Sequence, residues 1–385
     1  MQKSSFDFYL LIVFFVFAFS QNNFPVVLIH GFMGWGRDEL SGYYYWGGNY
    51  DLESELKQNH YEIYTVSVGP ISTNYDRAIE VFYQIKGGQL DYGEKRSTAL
   101  NTEQLPKSKL YEGFYNNWDS NNPVHIIAHS QGGQTAKMLE KLLTSVDKHE
   151  SSYLLANNLT GWIASITTIS TPHNGTTLIP IMSSMLEISL SFIPYYHGIN
   201  LDVFNNYYNF DLEHWGLNKV KGENIITYYQ RISNSKIMDP KNNCTWDLSL
   251  EGSTLFNSQY KTDSLTYYFT YSTSSTKLSS DSHTHTPTKE TAFRHWPTAK
   301  LMGTYSDVLN QSWYENDGIV NTVSMSHPFG EKNKPLDENL KAGVWQIGKT
   351  YHMDHTKILG HGATDEEWNK ILIFYKEHLY LLYSL

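Results

Sequence analysis

Three features of the chain predict an α/β fold, with a mostly parallel central sheet and helices packed on both of its faces. Short apolar runs alternate with amphipathic stretches along the 385 residues, as crossover helices between parallel strands require. The pentad Ala128-His129-Ser130-Gln131-Gly132 lies between an apolar run at 124–127 and a helical stretch at 134–146. Small-x-Ser-x-Gly in that setting is the form of a strained strand-to-helix turn that lifts a serine out of the sheet. An acid and a histidine then follow in the order such a turn needs, first in Glu315-Asn316-Asp317-Gly318 and later in His352-Met353-Asp354-His355.

Residues 24–29 form an apolar run ending at His30-Gly31-Phe32-Met33-Gly34, which reads as a strand entering a glycine-rich loop. Residues 62–68 alternate and meet Gly69-Pro70, a second strand. Asn74 is placed to cap a helix through Ile85, closed by Gly87-Gly88. The helix after the pentad is expected to bury Thr135, Met138, Leu139, Leu142 and Val146 on one face. Further strands are expected at 162–169, 264–271 and 344–347, with the Ser/Thr-rich tract up to Lys289 a loop. Thr364-x-x-Glu367 is a capping box that opens a last helix through Leu382.

Composition narrows the function. A net charge of −10 disfavours nucleic acid and purely electrostatic adhesion to anionic membranes. The single cysteine, Cys244, rules out an intrachain disulfide. Lys3 precedes an uncharged apolar run at 8–19, with Ala18 and Ser20 at the positions a signal peptidase reads. That run is short for a bilayer span, and no later segment is long and apolar enough for one. The expectation is a signal peptide at 1–20 and one domain at 21–385, secreted or lumenal and monomeric. Asn158, Asn243 and Asn310 are then candidate glycan sites; Asn174 also fits a sequon but lies inside a motif.

Serine is a poor nucleophile until an imidazole takes its proton, and a carboxylate fixes the imidazole tautomer and steadies the imidazolium. Ser130, Asp317 and His355 supply these groups in strand-end loops. Gln131, which follows the serine, and a residue in the loop after the first strand are the expected backbone donors of an oxyanion hole.

Several blocks then match a family: His30-Gly31-Phe32, Gly34-Trp35-Gly36-Arg37, Tyr45-Trp46-Gly47-Gly48, Val68-Gly69-Pro70, Asp91-Tyr92-Gly93, the stretch 126–136, Thr171-Pro172-His173, the stretch 315–325 and Asp354-His355. In these the chain resembles the secreted triacylglycerol lipases of bacilli and staphylococci, α/β-hydrolases with a lid. The resemblance spans nearly the whole chain in family order. It implies Ser130 as nucleophile, Asp317 as acid and His355 as base, preferred over His352 because it directly follows Asp354. It assigns the oxyanion hole to the backbone of Phe32 and Gln131, and a lid and insert to the fold. The lid falls at about 176–215, where Leu178, Ile181, Met182, Met185 and Leu186 belong to an apolar run whose one charge is Glu187.

The resemblance also implies two metal sites, and here the chain departs from it. Asp76 and Asp247 match the zinc-binding aspartates, but the histidine positions fall at or near Arg96 and Thr102. At a calcium-ligand position two residues after His355 stands Lys357, and the later Asp-Pro pair falls at about Gly362-Ala363. Asp365 or Glu366 are the only displaced substitutes. No metal and no cofactor is expected, with Arg96 and Lys357 supplying the positive charge.

The leading reading is hydrolysis of long-chain acylglycerol esters, with a lipid substrate met at an oil–water or membrane interface. Phospholipase A1 or acyltransferase activity would use the same site. A non-catalytic lipid-binding protein is the reading from another class, and nothing in binding requires this full set of residues.

Overall fold

The structure, a computed structural model, describes residues 22–183, 204, 207–280 and 283–385. The expected leader lies outside these residues, as does most of the expected lid. A seven-stranded sheet runs through the molecule. Its strands are β1 (Val26–Ile29), β2 (Ile63–Thr65), β5 (Val124–His129), β6 (Ile163–Ile169), β7 (Tyr267–Thr273), β10 (Asn333–Pro335) and β11 (Trp345–Tyr351). Their order is β10-β11-β7-β6-β5-β1-β2, and each neighbouring pair is parallel. The remaining strands form two small antiparallel pairs, β3 (Gly88–Gln89) with β4 (Leu110–Tyr111) and β8 (Thr276–Leu278) with β9 (His285–Pro287). This is the mostly parallel sheet that the alternating pattern predicts, of the α/β-hydrolase type that the resemblance implies.

The helices used below are α1 (Leu52–Lys57), α2 (Asn74–Lys86), α3 (Glu94–Leu100), α4 (Gln131–Thr144), α5 (Tyr153–Ala156), α6 (Leu178–Ser183), α7 (Ile225–Ser233), α8 (Cys244–Leu248), α9 (Leu250–Gln259), α10 (Trp296–Met302) and α11 (Asp365–Tyr383). Both faces of the sheet are covered. Val26 and Leu28 of β1 pack into a core with Ile371, Tyr375 and Leu379 of α11, while Val27 and Ile29 pack into a second core with Phe82 of α2 and Leu139 of α4. A strand buried on both sides reads as a continuous apolar run, which is why 24–29 carries no polar alternation.

Local chemistry sets several ends differently from the sequence expectation. Thr73, not Asn74, caps α2, its side chain accepting from Asp76 N–H, and Asn74 Nδ2 donates instead to Gln134 Oε1 at 2.9 Å. Helix α4 starts three residues earlier than its apolar periodicity does. It also buries Lys137 and Glu140, whose polar atoms meet Asn257 on α9 and the hydroxyls of Tyr260 and Tyr268 at 2.7 Å. The expected face member Val146 lies past the helix end and is exposed. The Ser/Thr-rich tract holds the β8–β9 pair rather than being all loop. The edge strand β10 was not expected, since three residues ending in Pro335 carry no strand pattern. The Thr364–Glu367 capping box is present, and α11 runs one residue past Leu382.

Register brings the strand ends together. Ile29 pairs with Ala128, His129 with Ile169, Ile169 with Tyr271, and Tyr351 with Thr273. Ser130, Ser170, Ser274 and the 352–355 loop therefore leave the sheet at one carboxyl-end edge, where open α/β sheets place their sites.

Candidate active site

Ser130 has φ +57° and ψ −130°, a conformation side chains rarely adopt. The strain is enforced from both sides. A Cβ on Gly132 would lie 2.3 Å from Ile29 O, and one on Gly133 would lie 2.1 Å from Thr171 Oγ1. The glycines thus let α4 approach β1 and β6 closely enough to close the turn, and Ser130 is left at the α4 N-terminus. There the first N–H groups have no intrahelical acceptor.

The three sequence-predicted polar groups meet at this edge. His355 Nε2 lies 2.9 Å from Ser130 Oγ, and His355 Nδ1 lies 2.7 Å from Asp317 Oδ2. A carboxylate only accepts, so Nδ1 carries the proton and Nε2 is left to accept from the serine hydroxyl. All three are almost wholly buried. The two loops are tied to each other through the backbone as well, with His355 N–H donating to Asp317 O at 3.1 Å. An imidazole so placed can take the hydroxyl proton without reorienting.

Asp317 has further donors. The N–H groups of Ile319 and Val320 reach Oδ1 at 3.0 and 2.8 Å, and the Thr273 hydroxyl reaches Oδ2 at 2.6 Å. Ser170 Oγ lies 2.8 Å from Thr273 Oγ1. Sequence reasoning missed Thr273, which nothing distinguishes from the other threonines of its tract until β7 ends beside the acid loop.

Phe32 follows Gly31, and Gly31 is where the loop meets the elbow. A Cβ there would lie 2.6 Å from Ser130 Cβ and 2.8 Å from Tyr45 Oη. The Tyr45 hydroxyl accepts from Gly31 N–H at 2.8 Å and lies 2.7 Å from His129 Nδ1. His129 Nε2 is 2.9 Å from His355 O. That carbonyl can only accept, so Nε2 donates, Nδ1 accepts from Tyr45 O–H, and the chain has one consistent direction. Tyr45 and His129 therefore clamp the Gly31 loop, the elbow and the histidine loop together. Buried Arg77 adds a second brace, donating to the carbonyls of His30 and, at 3.0 Å, Gly69, and at 2.9 Å to Thr135 Oγ1 on α4. Tyr45 lies in a matched sequence block, but Arg77 looks like an ordinary solvated helix charge. Burial, helped by Arg77, pushes the His30 imidazole down to about 3, so it stays neutral under the loop.

The residues at the two expected metal positions do not fit a metal ion. Arg96 donates to both oxygens of Asp76, at 2.6 and 2.8 Å, and Asp247 accepts from Asn74 N–H at 2.6 Å. Burial alone would raise the Asp76 carboxyl, yet the guanidinium holds it below its usual range. Lys357 Nζ donates to Gly362 O at 3.1 Å and Glu367 Oε2 at 2.7 Å. Fixed cations thus face the oxygens that a dication would need. Among the described residues no group of three His, Cys, Asp or Glu side chains is arranged to hold a metal. Two sequons also fail as glycan sites in this fold. Asn243 is buried with its amide donating to Ile237 O at 2.7 Å, and buried Asn174 donates to His327 O at 2.9 Å.

A parallel sheet ending in a strained serine turn, with an acid and a histidine from two later loops, defines the α/β-hydrolase class. Residues 22–379 match the family model described as "Lipase-like, C-terminal domain", and the chain belongs to that family. It is 33% identical over 359 residues to Lipase 1 of Staphylococcus aureus, covering 90% of this chain and 52% of that protein. The chain thus spans about half the length of the curated relatives it matches. Among solved structures it is similar to EstA from Clostridium botulinum, with TM-score 0.86 and 35% identity over 95% of this chain and 88% of that one. It is also similar to Staphylococcus hyicus lipase, with TM-score 0.81 and 32% identity over 95% and 97% of the two chains.

Proposed function

We propose that the chain hydrolyses carboxylic esters of long-chain acylglycerols through an acyl-enzyme on Ser130. His355 takes the Ser130 proton as the hydroxyl attacks the ester carbonyl and returns it to the departing alcohol. Asp317 keeps the imidazole in its Nδ1–H tautomer and steadies the imidazolium. Phe32 and Gln131 N–H stabilise the oxyanion. Water activated by His355 then releases the fatty acid. The observation that carries this reading is the continuous Ser130–His355–Asp317 hydrogen-bond chain, at 2.9 and 2.7 Å, on a strained turn.

The substrate class is supported by the family and by the apolar segment after Thr177. The entry to that segment is anchored to the acid loop, Thr176 Oγ1 donating to Ile319 O at 2.7 Å and Thr177 N–H to Asn321 Oδ1 at 2.9 Å. The lid proposed to follow, most of which lies outside the described residues, would meet lipid through its apolar side chains. Rates on triolein, phosphatidylcholine and short p-nitrophenyl esters, each followed through its solubility limit, test this. The expected result is a jump with emulsified triolein; a flat profile removes the lid, and a preference for phosphatidylcholine makes the chain a phospholipase. Secretion with cleavage near Gln21 is part of the proposal, and N-terminal sequencing of exported protein tests it. Asn158 and Asn310, both exposed, are the glycan sites that remain.

A further inference from the structure

Two serines leave the sheet at the same level with the same rare backbone. His129 of β5 pairs with Ile169 of β6, so Ser130 and Ser170 are the next residues along neighbouring strands. Their φ angles are +57° and +51°. Glycine takes that left-handed conformation freely, whereas a side chain there is strained, and such outliers gather at functional sites. Ser130 is the proposed nucleophile. Ser170 is wholly buried, so substrate does not reach it, and its N–H donates to Tyr271 O at 2.9 Å. Its hydroxyl is what reaches the site. Ser170 Oγ lies 2.8 Å from Thr273 Oγ1, which lies 2.6 Å from Asp317 Oδ2. Thr273 has one hydroxyl proton, and an ionised carboxylate only accepts. That proton therefore goes to Asp317, and Thr273 accepts from Ser170. Asp317 Oδ2 also faces His355 Nδ1 at 2.7 Å, so one directed chain runs from the end of β6 to the imidazole.

We propose that Ser170 is a positioning residue for the acid: its left-handed turn presents a hydroxyl that pins the Thr273 hydroxyl, and through it Asp317 Oδ2, against His355. The backbone of Thr273 is fixed already, its N–H reaching Met325 Sδ at 3.2 Å and its carbonyl accepting from the Thr322 hydroxyl at 2.9 Å. The rotation of its hydroxyl is what remains to be set. Met325 Sδ, a weak acceptor, lies 3.5 Å from Thr273 Oγ1 and competes with Asp317 for the proton. A donor on the Thr273 oxygen restricts that rotation and, in a buried series, strengthens the bond that Thr273 gives in turn. A glycine at 170 would remove the strain and the donor together, which gives the strained serine its reason. The catalytic part of the proposal rests on the hydrolase reading above; the hydroxyl chain itself does not.

The test is a double-mutant cycle on the whole chain: wild type, Ser170→Ala, Thr273→Val and the two changes together. Ser170→Ala should lower kcat on a soluble short-chain ester by roughly three- to tenfold with KM unchanged. Fluorophosphonate labelling should slow by the same factor. In the Thr273→Val background the change at 170 should have no further effect on either rate, because its route to Asp317 is gone. Ser170→Gly separates the hydroxyl from the strain. It should lose as much kcat as Ser170→Ala yet unfold at a higher temperature, and it stands in if Ser170→Ala does not fold. An unchanged kcat and labelling rate overturns the proposal, as does full additivity with Thr273→Val. A Ser170→Gly chain that melts no higher than Ser170→Ala overturns it too. If the wild type neither hydrolyses esters nor takes label, the unfolding midpoints of the same four chains decide. Non-additive midpoints keep the hydroxyl chain while the hydrolase reading falls; additive ones remove both.

Discussion

A hydroxyl that donates to a buried carboxylate is cheap to place and costly to lose. Thr273 does this for Asp317 at 2.6 Å, and a hydrogen bond to a charged group is worth about 1.5–3 kcal/mol. Thr273→Val should therefore lower kcat by roughly 10- to 100-fold while KM holds, and Thr273→Ser should restore most of it. Steady-state kinetics of both variants checks this; a change confined to KM would remove Thr273 from the positioning of the acid. The Tyr45–His129 clamp makes a second prediction at the same scale. Tyr45→Phe leaves Gly31 N–H and His129 Nδ1 without their partner in a buried site, at about 1–3 kcal/mol each. A fall in both the unfolding midpoint and kcat is expected, and a variant as stable and active as the wild type would contradict the clamp.

Among elements, α2 and α3 are joined by an ion pair. Arg96 of α3 grips Asp76 of α2 through two hydrogen bonds with both partners largely enclosed. Removing one partner of such a pair costs about 3–5 kcal/mol, because the other is left buried and charged. Arg96→Ala should lower the melting temperature markedly, whereas chelators should leave the wild type unmoved and elemental analysis should find no zinc. A chelator-sensitive melting temperature restored by zinc or calcium would reverse this account. Sequence reached far at this scale because parallel strands buried on both faces and Gly-flanked turns leave strong local traces, as residues 24–29 and 128–132 show. What it missed was written in tertiary contact. Lys137, Glu140 and Arg77 look like solvated helix charges and are buried because partners arrive from a distant helix, strand and loop. The strand β10 exists only as a neighbour of β11. The Ser130, Asp317 and His355 positions were legible because they come in a fixed order along the chain; Thr273 carries no such marker.

Across the whole molecule, buried titratable groups set the response to acid. Burial pushes His30, His125 and His378 down to about 3 and His214 to about 4. It pushes Glu80 and Glu140 up to about 7 and Asp247 to about 6. The histidines' share of stability is complete above their unfolded value near 6.5 and is lost as pH falls, because only the unfolded chain takes the protons. The carboxyls' share is complete below about 4 and is lost as pH rises toward 6–7. Between about pH 4.5 and 6.5 the two sets oppose each other. Below that the carboxyls are protonated in both states, and each histidine costs up to about 1.4 kcal/mol per pH unit. The unfolding midpoint should stay nearly level from pH 6.5 to 4.5 and then drop steeply, as calorimetry across that range would show. A steady decline starting at pH 6.5 would contradict the balance.

We propose Ser130 as an activated nucleophile held by His355 and Asp317. Labelling of the folded chain with a fluorophosphonate checks this, since the reagent reacts with a serine whose proton a base can take. One equivalent of label on Ser130 is expected, none in Ser130→Ala, and a loss of ester hydrolysis in that variant of at least about 10⁴-fold. A folded wild type that takes no label, or a Ser130→Ala chain that still does, would contradict it.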